Sequence, residues 1–512
     1  MTTTAARIPL SLLIATLATA LVPGVARAEA STVRTDTGVV AGVVADGVVS
    51  FKAIPYAAPP VGPLRWRTPQ PASRWNRVRP ADRYGAPCVQ PVRNEPRNHI
   101  PRSAMSEDCL TLNVFRPVSA DRPRPVMVWI HGGGLRSGAA SLPLYDGTAF
   151  ARGGVVFVSL NYRLGLLGFF VHPGLVKENA DGGRLGNYGL LDQIAALQWV
   201  QRNIAAFGGD PRNVTIFGES AGGQSVDALM ISPAARNLFH KAISQSGYGR
   251  GAYRRLSTIA PDGQASAEDQ GRAVAAAWGS AGADLEALRA IPAGKVIDDG
   301  PSDGLPNFYL DGPTLDDDLW AAFRAGREAP VPFLLGSNGF EFPPGAPGNA
   351  AAPFLKGLSL AEQGRLVSVY GTGPEPDAHL VSDITFTGQA RALARLHARN
   401  GHPTYLYLFD VVPAGTASKG AAHAAELRYV FDALHLDAAS THDDAERGIA
   451  TTMNAQWRAF AERGNPSGER LPHWPRYDGQ AILEYTLGAI TVHPDKRADR
   501  LDALAEIIDP RS

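Results

Sequence analysis

Two hydrophobic rhythms alternate along the chain. Short runs, apolar except for Ser159 and Thr215, stand at Val126–Ile130, Val155–Leu160 and Val214–Phe217. Runs of this length, rich in β-branched and aromatic residues, predict strands covered on both faces. Between them the apolar spacing lengthens toward 3.6 residues. The clearest case is Leu190–Ile204, where Leu191, Ile194, Leu197 and Val200 share one face of a predicted helix. Residues 33–50 alternate valine with glycine and polar residues, which predicts a hairpin at a sheet edge. Further strands are expected at Val331–Leu335 and Thr404–Phe409, and mainly helical segments at 261–300 and 359–400. Strands alternating with helices predict an α/β class: a mostly parallel central sheet flanked by helices.

Composition narrows the class further. At 512 residues, 45% apolar and 19% charged, the chain suits a globular protein with a large core. A formal net charge of +0 and the lack of a long basic run argue against a nucleic-acid partner. Arg7, the apolar stretch Leu10–Val25 and Ala26-Arg27-Ala28 read as a secretory signal over residues 1–28, cleaved after Ala28. The expected product is secreted or periplasmic. No later segment is long and apolar enough for a membrane anchor. Cys88 and Cys109 are the only cysteines, and in an exported chain such a pair predicts a disulfide. Two cysteines alone do not make a metal site.

The candidate chemistry centres on Gly218-Glu219-Ser220-Ala221-Gly222. This G-x-S-x-G follows the strand ending at Phe217 and precedes a helix-like segment, Gly223–Ile231. That setting is a nucleophile elbow, a strained turn that lifts the serine hydroxyl over a helix N-terminus. Upstream, His131-Gly132-Gly133-Gly134 follows the Val126–Ile130 strand and can aim backbone N–H groups at a developing oxyanion. A serine nucleophile needs a base, and the base needs an orienting carboxylate, in the chain order Ser, acid, His. An acid is expected in Gly336–Glu341, just after the Val331–Leu335 strand; Asp316–Asp318 lie before that strand, in the wrong place. The favoured base is His423, in a Gly/Ala-rich loop, and spacing leaves His397, His402, His435 and His442 open as well.

Motifs in order along almost the whole mature chain resemble the type-B carboxylesterases, the α/β-hydrolase family that includes cholinesterases and fungal lipases. They run from Phe51–Ala57 and Ser106–Leu110 through Gly186–Gln193, Phe207–Pro211, the elbow and Gln245-Ser246-Gly247. Trp457, Phe460, Gly464-Asn465-Pro466 and Trp474-Pro475 follow. The resemblance implies an α/β-hydrolase fold over residues 29–512, with helical cap insertions near 256–310 and 355–400. It implies Ser220 as nucleophile, Glu341 as acid and His423 as base. Gly133, Gly134 and Ala221 become oxyanion-hole donors, Glu219 and Ser246 supporting residues, and Cys88–Cys109 the first disulfide. The implied partner is a small-molecule ester, hydrolysed through an acyl-enzyme without metal or organic cofactor.

The chain departs from the family where specificity is set. Phe340 and Phe342 flank Glu341 in place of the usual Asp and Gly, Ala424 follows His423 in place of glycine, and Leu135 replaces a common aromatic residue. Leu135, Phe340 and Phe342 are therefore pocket candidates. The disulfide loop has no aromatic side chain and carries Arg93, Arg97, His99 and Arg102. Without an aromatic ring to hold a quaternary ammonium, choline esters are expected to be poor substrates. A lidded lipase with the same triad, or a non-catalytic binding protein on the same scaffold, are the rival functions; the second is disfavoured because every catalytic residue type is present.

Overall fold

Alternate side chains of the buried strands enter two different cores. Val126, Val128 and Ile130 pack into one apolar cluster and Met127 and Trp129 into another on the opposite face. Val156, Val158 and Leu160 separate from Phe157 in the same way, as do Val214 and Ile216 from Phe217. This is why these stretches are apolar on both faces, broken only by the buried Ser159 and Thr215: a sheet with helices on both faces leaves no polar side.

The computed structural model describes residues 1–2, 30–92, 99–119, 121–248, 253–258, 265–282, 284–299, 307–342, 351–437 and 442–508. The expected signal segment, and Arg93 and Arg97 of the disulfide loop, lie outside the described residues. The strands are β1 (Ala30–Arg34), β2 (Val39–Ala45), β3 (Val48–Pro55), β4 (Arg79–Pro80), β5 (Thr111–Pro117), β6 (Arg124–Ile130) and β7 (Val156–Leu160). They continue as β8 (Gly209–Glu219), β9 (Lys241–Gln245), β10 (Arg254–Arg255), β11 (Tyr309–Leu310), β12 (Phe333–Asn338), β13 (Thr404–Asp410), β14 (Ala481–Thr486) and β15 (Ala489–Pro494). The main sheet runs β1-β2-β3-β5-β7-β6-β8-β9-β12-β13-β14-β15, with β4 beside β2. From β7 to β14 all neighbours are parallel; both edges are antiparallel apart from the short β4, which runs parallel to β2. It is the α/β-hydrolase arrangement.

The predicted hairpin at 33–50 is present as β2–β3, joined at Asp46-Gly47, and β1 extends it outward. The predicted helix at Leu190–Ile204 spans Tyr188–Asn203. Its Asp192 holds Arg163 in a bidentate pair at 2.8 Å, both side chains almost fully buried, and so ties the segment after β7 to this helix. The segments expected to be helical contain Ala267–Ala277, Leu285–Ala290 and Ala293–Asp298, and then Leu360–Tyr370, Pro374–Ser382 and Gly388–Arg399. Cys88 and Cys109 form the expected disulfide, a 21-residue closure worth about 3 kcal/mol. Arg102, inside that loop, is paired with Asp298 at 2.6 Å. No helix among the described residues is long and apolar enough to cross a membrane.

Candidate active site

β8 runs unbroken to Glu219, and the next helix begins at Ala221, two residues earlier than the sequence pattern indicates. Ser220 alone makes the turn, with φ 56° and ψ −122°, a conformation that costs a non-glycine residue energy and persists only where the surroundings impose it. The surroundings do so here. A Cβ on Gly222 would lie 2.1 Å from the Ile130 carbonyl oxygen, so the helix can approach β6 only through glycine. The Ser220 N–H is anchored to the Gln245 carbonyl at 2.9 Å.

β6 ends at Ile130 and delivers the glycine loop to the same place. Gly133 and Gly134 have φ of 106° and 66°, open to glycine and strained for other residues. Among the described residues no protein acceptor takes the backbone N–H of Gly133, Gly134 or Ala221. His131 buttresses the loop. Its Nδ1 faces the Gly132 carbonyl at 2.9 Å, its ring stacks on Tyr162, and burial pushes its pKa down to about 4, so it stays neutral.

The predicted acid and base come from the ends of neighbouring strands. β12 extends to Asn338, beyond the predicted Leu335, and Glu341 follows three residues later. His423 sits in the loop after β13, its N–H donating to the Glu341 carbonyl at 2.8 Å. The Ser220 hydroxyl lies 2.9 Å from His423 Nε2, and His423 Nδ1 lies 2.6 Å from Glu341 Oε2. Glu341 Oε1 accepts from the Ser246 hydroxyl at 2.6 Å and the Asn338 N–H at 2.8 Å. Both carboxylate oxygens of this 1% exposed residue are therefore committed.

The other histidines are placed elsewhere. His397 pairs with Glu328, His442 with Glu446, and His435 is exposed on a short turn. Of the rival acids, Asp318 caps the helix Leu319–Arg324 and Asp317 pairs with Arg327.

Charge converges on His423. Glu219 Oε1 stands 3.2 Å from its Nε2. Burial disfavours the imidazolium, but Glu219 foremost, then Glu341 and Glu426, outweigh it and push His423 up to about 9. Burial pushes the Glu219 carboxyl up, His423 opposes that rise, and Glu426 and Glu341 add to it. Glu426 lies behind the histidine, its carboxyl raised by burial and by Glu341 and restrained by hydrogen bonds from Asn338 Nδ2 at 2.7 Å and Gln245 Nε2 at 3.0 Å. Trp457 Nε1 holds Gln245 in turn, at 3.0 Å.

The pocket candidates divide. Phe342 packs against His423, ring centroids 5.4 Å apart. Phe340 turns away and packs on His379. Leu135 is fully buried in the core, its carbonyl accepting from the Gly165 N–H. The segment expected as a cap insertion supplies a ring that the sequence reading lacks: Phe386, in a π-turn over Asp383–Thr387, stacks on His423 at 4.7 Å. π-turns of this kind recur at functional sites.

The sequence pattern of the Carboxylesterase family matches residues 29–355 and 377–501. The chain belongs to the carboxylesterase family. Membership makes it a carboxylic ester hydrolase. It is 36% identical over 499 residues to the para-nitrobenzyl esterase of Bacillus subtilis, covering 92% of this chain and 98% of that one. It is 36% identical over 485 residues to the fumonisin B1 esterase of Sphingopyxis macrogoltabida, covering 87% and 84%. A solved thermophilic para-nitrobenzyl esterase superposes with a TM-score of 0.82 at 34% identity, over 92% of this chain and 99% of that one.

Proposed function

We propose that this carboxylesterase cleaves esters by two-step acyl transfer, with Ser220 as nucleophile, His423 as general base and acid, and Glu341 as the orienting carboxylate. The observation that carries the reading is the relay from Ser220 Oγ to His423 Nε2 at 2.9 Å and from His423 Nδ1 to Glu341 Oε2 at 2.6 Å. The Ser220 hydroxyl donates to Nε2, so the ring must carry its proton on Nδ1, where Glu341 receives it. As Ser220 attacks the ester carbonyl, its proton passes to Nε2 and the imidazolium is held between carboxylates. The carbonyl oxygen takes up negative charge beside the N–H groups of Gly133, Gly134 and Ala221. Each such donor is worth about 3–4 kcal/mol to the transition state. His423 then protonates the leaving alcohol, and water activated by the same Nε2 releases the acid.

Glu219 and Ser246 act through the histidine: Glu219 favours the imidazolium, and Ser246 fixes Glu341. Phe342 and Phe386 wall the base with apolar surface, which suits neutral acyl or alcohol groups. Without an aromatic residue in the disulfide loop, a quaternary ammonium finds no ring there. The signal-like N-terminus supports export, with a mature start near Glu29.

A panel of p-nitrophenyl esters of graded acyl length, with acetylcholine as the cationic member, tests this. Turnover of neutral esters with an initial burst of p-nitrophenol is expected, and acetylcholine should be poor. Efficient acetylcholine hydrolysis would overturn the specificity reading, and absence of a covalent acyl-enzyme would overturn the mechanism.

A further inference from the structure

Two of the histidines that spacing leaves open for the base have a different setting. His397 lies on the helix Gly388–Arg399, His402 in the lead-in to β13, and Glu328 in the segment before β12. One potential ligand atom from each lies within 4.8 Å of the others, the one such His/carboxylate group among the described residues. Glu328 and His397 are 2% and 0% exposed.

The hydrogen bonds of His397 and Glu328 leave open what stands between the two side chains. His397 Nε2 is 2.9 Å from the Val331 carbonyl, which can only accept, so Nε2 carries a proton. Nδ1 faces Glu328 Oε1 at 3.0 Å, and that oxygen already accepts from Asn400 Nδ2 at 2.8 Å. In a neutral ring Nδ1 would turn a lone pair on a carboxylate oxygen. Either a second proton or a metal ion must stand between them. Glu328 Oε2, buried in the same place, has no hydrogen-bond partner, a costly state for a carboxylate. The Nε2–H bond to a backbone carbonyl is also the contact that orients metal-ligating histidines.

His402 completes the set. Its ring centroid is 4.8 Å from that of His397. His402 and Glu328 line a surface cavity of about 390 Å³, which gives an ion and its water a way in. The nearby Arg327 is paired with Asp317, and Arg236 donates to the Arg327 carbonyl.

We propose that Glu328, His397 and His402 bind a divalent transition-metal ion of the zinc type, through a Glu328 carboxylate oxygen, His397 Nδ1 and one His402 nitrogen, with water in the fourth position. Two imidazoles and one carboxylate suit zinc or cobalt rather than calcium or magnesium, which take oxygen ligands. Bonds of 2.0–2.1 Å place tetrahedral ligands about 3.3 Å apart; the Glu328–His397 pair is already near that spacing, and the half-buried His402 ring rotates to close the rest. The ion would tie together the approaches to β12 and β13, whose far ends carry Glu341 and His423.

The test uses untagged protein stripped with a chelator, titrated with Zn²⁺ by calorimetry and with Co²⁺ by visible absorption. One equivalent of Zn²⁺, a raised melting temperature and tetrahedral Co²⁺ bands are expected. His402→Ala and the isosteric Glu328→Gln should each weaken binding roughly tenfold or more and abolish the bands, while ester turnover stays at the wild-type level. No stoichiometric binding to the wild type, or equal affinity in both variants, would overturn the proposal. Collapse of turnover on chelation would also contradict it, because it would assign the metal to the chemistry.

Discussion

Replacing Glu341 with glutamine tests the relay through a single proton position. The amide has the carboxylate's shape, so packing is kept and only donor and acceptor character changes. Where Oε1 now sits, the fixed Asn338 N–H points in at 2.8 Å and the Ser246 hydroxyl at 2.6 Å. A backbone N–H cannot rotate away, so the amide oxygen must take that place. The NH₂ group is then forced onto the Oε2 position, 2.6 Å from His423 Nδ1, and donates to it. Nδ1 becomes an acceptor, the ring proton moves to Nε2, and Ser220 meets an N–H instead of a lone pair. A triad histidine in the wrong tautomer loses about 10⁴ in kcat, or about 5.4 kcal/mol of barrier. Stability should fall much less, by the difference between charged and neutral hydrogen bonds, about 1–2 kcal/mol. Steady-state p-nitrophenyl ester kinetics and a denaturant titration on the same preparation read both quantities. A kcat loss below tenfold in a folded variant would refute the reasoning and point to another carboxylate.

Three further outcomes are expected. Because His423 is raised to about 9 and must be neutral to act as base, kcat/KM should climb as pH rises through 7 toward 9. Glu219→Gln removes the foremost carboxylate holding that proton and should move the limb to lower pH; a limb that stays in place would refute the role given to Glu219. Gly222→Ala puts a methyl 2.1 Å from the Ile130 carbonyl, so β6 and the elbow must separate, and turnover should fall at least a hundredfold on the order expected for misplaced catalytic groups; near-normal activity would show that the elbow tolerates the shift. Opening the disulfide by Cys88→Ser with Cys109→Ser should cost about 3 kcal/mol in denaturant unfolding, and no measurable change would mean that the loop is closed by other contacts.

The strands with apolar side chains at every position were legible because both sheet faces are covered. Val126–Ile130 is such a run, Val214–Phe217 is broken only by Thr215, and Ser220 and the glycine loop stand just beyond their ends. Chain order and strand position narrow the acid to Gly336–Glu341 and favour His423, and the resemblance adds Glu341 itself; no local pattern excludes His397, which lies just as firmly in a polar cluster. β9 and β14 escape the apolar pattern, because each is short and interleaves polar residues such as Ser244 and Glu484 with apolar ones. Those polar positions carried a usable signal. Gln245 and Asn338, at the last residues of otherwise buried strands, orient Glu426 and Glu341 beneath the site. Phe386 was out of reach, because its approach to His423 depends on how a helical segment 37 residues before that histidine folds back over it. Sequence neighbourhood alone marks Leu135 and Phe340 as pocket candidates; in the fold both are buried, and Phe340 packs on His379.

The proposed acyl transfer begins at Ser220. Incubation with an organophosphate ester, followed by mass spectrometry of the digested protein, tests it most directly. A single phosphoryl adduct on Ser220, formed in step with the loss of esterase activity, is the predicted result, with neither adduct nor turnover in folded Ser220→Ala. An adduct on another residue, or ester turnover persisting in that variant, would contradict it.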